Sequence, residues 1–231
     1  MSVGGWVAGV AVVVVVGAGL YVTDRVALSR AEDRVAAGIE ANFDGVQGQP
    51  QVDLGGFPFL PQLLNDRIED VTASVDGVTI GGVAATDVQV AAQGVSTDEP
   101  YTVEHGDVAA TLPPESVEQV IADRTNLDVD VVVEGGQLRL EGKVLGVTLS
   151  AALELRVEDG KLLATARDFT LGPATISVDD LPGGIGDRLT DVEVPVDGLP
   201  QGVVLTGATV IPAGVRITAA GNDLTLPATV D

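Results

Sequence analysis

A chain of 231 residues with net charge −22 and no cysteine can bury one sizeable core or two small ones. Its 12 Lys and Arg against 34 Asp and Glu leave too few cations to neutralise a nucleic-acid backbone or to hold an anionic membrane through a basic patch, and without cysteine there is no disulfide, thiolate metal site or Cys nucleophile. Apolar residues reach 45% while aromatics stop at 3%, so Val and Ala carry the burial, and β-branched Val favours strands.

Val3 to Val22 contains no charged side chain and includes five consecutive Val at 12–16. Twenty residues at about 1.5 Å each span a hydrocarbon core of about 30 Å, and Trp6 and Tyr21 sit near the two ends, where interfacial aromatics belong. Residues 1–23 therefore read as a transmembrane signal-anchor ahead of a single domain over 24–231. The rival is a cleaved signal peptide using the small residues Gly17, Ala18 and Gly19. Arg25, Arg30 and Arg34 follow the span, and read literally they would leave the domain in the cytoplasm.

Asp24 to Phe43 reads as a helix whose stripe is Leu28, Ala31, Val35, Ile39 and Phe43, stopped by Asp44-Gly45. Gly55 to Leu64 follows, with two of the chain's four Phe. Pro58 and Pro61 exclude a long helix or a central strand there. Such a stiffened aromatic loop either plugs a core or walls an apolar pocket, and an extended Phe57-Pro58-Phe59 would put both rings on one face. From Gln51 the period becomes two. Val71, Ala73 and Val75 lead to Asp76-Gly77, which reads as a hairpin turn. Val88, Val90 and Ala92 alternate, and Tyr101 to Leu112 makes another strand. Pro113-Pro114 opens a short helix with Val117, Val120 and Ile121 on its apolar face, ending near Thr125.

Val129, Val131 and Val133 precede Gly135-Gly136. Val147 to Val157 then alternates without interruption, and Glu158-Asp159-Gly160-Lys161 signals a hairpin. The strand over Leu162–Leu171 loses phase at Arg167-Asp168-Phe169, which predicts a bulge. Leu181, Ile185 and Leu189 suggest a short helix. Val203–Ile211 and Val215–Ala219 form a last hairpin, with Leu224–Leu226 as an added edge. Nine to twelve antiparallel strands must curl or close. The predicted fold is α+β, a long, strongly curved antiparallel sheet partly wrapped around the N-terminal helix. A closed antiparallel β-barrel is the alternative.

Residues 55–78, GGFPFLPQLLNDRIEDVTASVDGV, resemble the signature of the LmeA-like family of actinobacterial cell-envelope proteins. The resemblance extends to Leu199-Pro200-Gln201-Gly202-Val203 and Gly221-Asn222-Asp223-Leu224, and covers about Arg25 to Leu226. It implies a tubular lipid-binding-like fold, phospholipid binding, a domain on the extracytoplasmic side, and a supporting role in lipoglycan (lipomannan) assembly.

The residues offer little for catalysis. His105 is the only imidazole, and no Gly-x-Ser-x-Gly elbow accompanies it. One His and no Cys do not make a zinc site, the acidic pair Asp128 and Asp130 alternates onto a solvent face, and Asp179-Asp180 reads as a turn cap. The Gly183–Gly186 run lacks the βαβ context of a dinucleotide loop. No metal, cofactor or catalytic residue is expected. The leading reading is a membrane-anchored module that holds a phospholipid or lipid-linked glycan intermediate. The candidate walls are Val35, Ile39 and Phe43 of the helix, Phe57, Phe59, Leu60, Leu63 and Leu64 of the loop, and Leu149, Leu153 and Leu155 of a strand. A scaffolding domain with a filled core comes second, and an envelope hydrolase built on spatially paired carboxylates comes third.

Overall fold

A computed structural model describes residues 3–80, 82–125, 129–144, 147–171, 174–175, 177, 192–194 and 199–225. The proposed helix around Leu181–Leu189, the Asp179-Asp180 cap, the Gly183–Gly186 run, Asp128 and Leu226 lie outside these residues. Helix α1 (Val3–Asn42) is unbroken, so the uncharged run and the helix expected from Asp24 are one element. It stops where the sequence indicates, with the Phe43 N–H donating to the Ile39 carbonyl and Gly45 at φ 63°. Among the described residues no helix is long and apolar enough to cross a membrane; the side chains of residues 3–20 are not among those described.

The larger sheet contains β1 (Asp44–Gln47), β2 (Gln51–Leu54), β3 (Arg67–Ile80), β4 (Val83–Ser96), β5 (Thr102–Leu112), β12 (Val204–Ile211) and β13 (Gly214–Thr225). Its order is β1-β3-β4-β5-β13-β12, with β2 pairing β3 in line with β1. The smaller sheet contains β6 (Asp130–Glu134), β7 (Gln137–Val144), β8 (Val147–Glu158), β9 (Lys161–Leu171), β10 (Ala174–Thr175) and β11 (Val192–Val194). It runs β10-β9-β8-β7-β6, with β11 also on β9. Helices α2 (Phe59–Leu64) and α3 (Pro114–Thr125) complete the described elements. All described pairings are antiparallel. The α+β class and the dominant antiparallel sheet follow the sequence reading. The closed barrel does not form, because the strands divide into two open sheets that face each other.

Turn chemistry fixes much of this layout. Gly135-Gly136 and Asp159-Gly160 all take positive φ, as two-residue hairpins of the left-handed type require. They join Glu134 to Gln137 and Glu158 to Lys161. The expected irregularity near Arg167–Phe169 is present: the β8–β9 register shifts between Ser150 and Ala152, and Asp168 takes φ 53°. A second bulge in β4 sets Asp87 at φ 48°, where Arg216 of β13 donates to both its carbonyl and its carboxylate.

Three expectations are corrected. Asp76-Gly77 is not a turn but lies inside β3, where Gly77 pairs with both Gln47 and Thr86; a Cβ there would sit 3.1 Å from the Gln47 side chain, so the glycine makes room for the broken edge β1–β2. Leu224 is not in a separate edge, because β13 continues to Thr225 and pairs with β5 along its whole length. The N-terminal helix does not fill the concave side either: α1 packs mainly on β2 and α2 at the sheet margin, leaving Val35 and Phe43 exposed.

Burial is divided among three clusters. The largest joins the two sheets, with Leu138, Leu140, Leu153, Leu162 and Phe169 meeting Leu205, Val215, Ile217 and Ala219. The expected face of α3 contributes through Val117 and Ile121. Leu28, Leu54 and Phe59 make a second cluster under α1. Val78, Ala85 and Val88 make a third.

Candidate functional site

The aromatic loop is fastened to α1 by polar contacts around one buried ring. Phe59 is 0% exposed and packs between Leu28 and Leu54. Pro58 occupies the N-cap of α2 and supplies no side-chain cap, so α1 provides one from outside. The Leu60 N–H donates to Asp24 Oδ1 at 2.7 Å, satisfying one of the helix-end donors that would otherwise be orphaned. Asp24 is only 4% exposed, and its Oδ2 has no partner. Two turns along α1, Glu32 accepts from the Leu54 N–H at 3.1 Å. Buried Gln62 closes the loop, donating to the Gly55 carbonyl at 3.2 Å and accepting from the Glu69 N–H at 2.9 Å.

The apolar face of the larger sheet is covered only in part. Cross-strand register places Val52, Ala73, Val90, Val108, Ala219 and Leu205 in one row. Its Val52 end packs under α1 and α2, and its Ala219–Leu205 end enters the core between the sheets. The middle members Ala73, Val90 and Val108 belong to none of the three clusters, and Val90 is 37% exposed. The neighbouring row, Val71, Ala92, Gly106 and Gly221, is built from small side chains. The result is an apolar strip with low walls, bounded on one side by the α1–α2 cap and on the other by the smaller sheet. Such a surface matches the apolar lining of a lipid site.

The opposite face is polar. A cavity of about 680 Å³ lies over this part of the sheet, lined by Gln51, Asp53, Thr72, Ser74, Gln89, Asp107, Thr206 and Thr218 and also by Val52, Ala73, Val90, Val108 and Ala219 of the apolar row. By strand alternation the polar side chains among them point away from the apolar row. His105 lies on this face, bonded through Nδ1 to Asn222 Oδ1 at 2.8 Å and through Nε2 to Asp107 at 2.9 Å. The Asn222 bond, then the Asp107 charge, raise its pKa above the ordinary 6.5, so the ring is occupied in a cross-strand bridge. At the far end of β3, Arg67 and Glu104 form a two-toothed ion pair, and the Arg67 hydrogen bond lowers the Glu104 pKa. No group of three or more metal-ligating side chains occurs among the described residues.

The predicted wall residues separate into three sets. Phe59 is a core plug, and Leu60 is half-buried beside it. Leu153 is buried in the core between the sheets, with Leu149 and Leu155 packed against it. Phe57, Leu63, Leu64, Val35 and Phe43 are exposed, and Ile39 is half-buried. Phe57, at 61% exposure, does not share a face with Phe59, because the extended run ends at Pro58 and Phe59 begins α2. None of these eleven residues lines the cavity over the larger sheet. The uncovered strip itself escaped the sequence reading. Its signal was the size of the alternating residues, Ala73 and Ala92 standing where bulky side chains would close a core.

No curated protein and no solved structure matches the chain. A family model described as LmeA-like phospholipid-binding matches residues 22–220, the span that holds the α1–α2 cap, the uncovered apolar strip and most of both sheets. By that match over most of its length, the chain belongs to the LmeA-like phospholipid-binding family.

Proposed function

We propose that this chain is a membrane-anchored envelope protein that holds phospholipid acyl chains along the strip of Ala73, Val90 and Val108. Residues 3–22 are its anchor, residues 24–231 its single domain, and that domain stands on the extracytoplasmic side. The observation that carries the reading is the exposed apolar row between two packed margins, in a chain that belongs to a phospholipid-binding family. Apolar burial supplies most of the affinity, because a domain of such acidity gains little from phosphate contacts. A lipid-linked glycan intermediate and support of lipomannan assembly are the finer form of the proposal. It assigns the chain no catalytic step, and His105, the only imidazole, is engaged by Asn222 and Asp107.

The test is mass spectrometry of lipid co-purifying with the full chain and with Val90→Asp. Val90 is partly exposed, so a carboxylate there is hydrated in the empty protein and disfavoured beneath an acyl chain. The expected result is unchanged folding by circular dichroism and a marked loss of bound phospholipid. Equal lipid in the two proteins would overturn the strip as the site. A scaffolding domain remains the second reading, supported by the closed cluster around Leu153 and Phe169; it requires that no lipid co-purify with either protein.

A further inference from the structure

Exposed apolar side chains are not spread evenly over the molecule. Among the described residues eleven large apolar side chains are exposed, and six of them, Tyr21, Val22, Val26, Phe57, Leu63 and Leu64, lie on the first turns of α1 beyond residue 20 or on the loop and α2. Leu64 reaches 84% exposure. A concentration of this kind marks an interaction surface rather than ordinary scatter.

Its depth relative to a bilayer can be read from α1. The uncharged run ends at Val22, so Tyr21 falls at the headgroup layer if the run spans. The Phe57 ring centroid is 5.9 Å from that of Tyr21, which puts the loop at the same level. The Arg25 guanidinium lies over both rings, 5.4 Å from the Tyr21 centroid and 5.7 Å from that of Phe57. An apolar stem beneath a cationic head suits an interface between hydrocarbon and water. The Asp24–Leu60 hydrogen bond and buried Phe59 hold α2 to α1 within one turn of this level.

We propose that the α1–α2 cap is a membrane-docking surface whose Phe57, Leu63 and Leu64 side chains enter the interfacial layer of a phospholipid bilayer. The occupant is lipid rather than protein, because the surface continues from the end of the uncharged run. The inference rests on the anchor reading for residues 3–22. Docking fixes the domain at the bilayer surface, so that a lipid can pass between membrane and apolar strip without crossing open water.

The native chain has no Cys, so single-cysteine variants of the full chain can carry an environment-sensitive fluorophore at Val12→Cys, Leu64→Cys or Glu134→Cys, the last at the end of β6. Each is reconstituted in phosphatidylcholine vesicles, with and without spin-labelled phosphatidylcholine as quencher. The expected result is a blue shift and strong quenching at 12 and 64 and neither at 134. Quenching at 12 but not at 64 overturns docking and leaves the anchor in place. Quenching at 64 alone upholds docking and removes the anchor; quenching at neither overturns both. A blue shift at 64 that lipid-borne quencher does not reduce means burial against protein, and also overturns the proposal. Replacing Phe57 by Ser should reduce the quenching in the Leu64→Cys background and leave it unchanged in the Val12→Cys background; equal quenching at 64 with and without Phe57 would overturn the part given to that ring.

Discussion

Two rings two residues apart illustrate how environment decides what a residue does. Phe59 is fully buried among Leu28, Leu54 and Val71, whereas Phe57 is largely exposed beside Tyr21. Phe59→Ala should therefore lower stability by about 3–5 kcal/mol through lost burial and a residual cavity. Phe57→Ala should stay within about 0.5 kcal/mol of the parent and change vesicle association instead. Urea unfolding of the two variants with unchanged slope checks this; equal losses would mean that both rings are structural. The clustered Phe and Pro single the loop out in the sequence. It could not separate the two rings, because that depends on where α2 begins, and the capping group is Asp24, more than thirty residues earlier in the chain. A short acidic side chain on a helix gives no local sign that it will cap another helix.

Cross-strand polar bridges act at the level of the element. His105 ties β5 to β13 through Asn222 and holds Asp107 on its own strand. Its folded pKa lies above the unfolded value of 6.5. The stabilisation is thus fully present below that value and is lost as pH rises through the higher folded one. His105→Asn should consequently fall furthest short of the parent in melting temperature at about pH 5, with the gap closing by about pH 9. A gap that is constant with pH would show that the bridge does not depend on charge. The strand over Tyr101–Leu112 and the phase loss in β9 were legible, since both are local. The continuous path of β3 through Asp76-Gly77 was not legible, because a strong turn dipeptide was overridden by pairing with β1 and β4. Similarly, Val35 and Phe43 continue a regular helical stripe, yet no cluster receives them; periodicity reports what a helix can bury, not what lies opposite it.

For the whole molecule, a net charge of −22 and an uncovered apolar strip set the expected response to salt. Screening weakens repulsion between the acidic domain and anionic lipid, while counterion release has few cations to act on. Binding to phosphatidylglycerol-containing vesicles should hold or rise between about 50 and 500 mM salt, and a steep fall in a flotation assay would reveal a basic site. The α+β class and antiparallel meanders were legible because they follow from alternation and turn residues; the division into two sheets was not, since it depends on where the last hairpin returns. That return also governs how the chain can assemble. Strand β13 pairs with β5, whose partner residues lie more than one hundred positions earlier. The smaller sheet is built from the segment between them, and the main core needs Leu205, Val215, Ile217 and Ala219 from the end of the described chain. During synthesis the free side of β5 and the apolar face of the smaller sheet must therefore wait for residues 204–225. A nascent chain with such non-local closure folds late and exposes an aggregation-prone edge until it does.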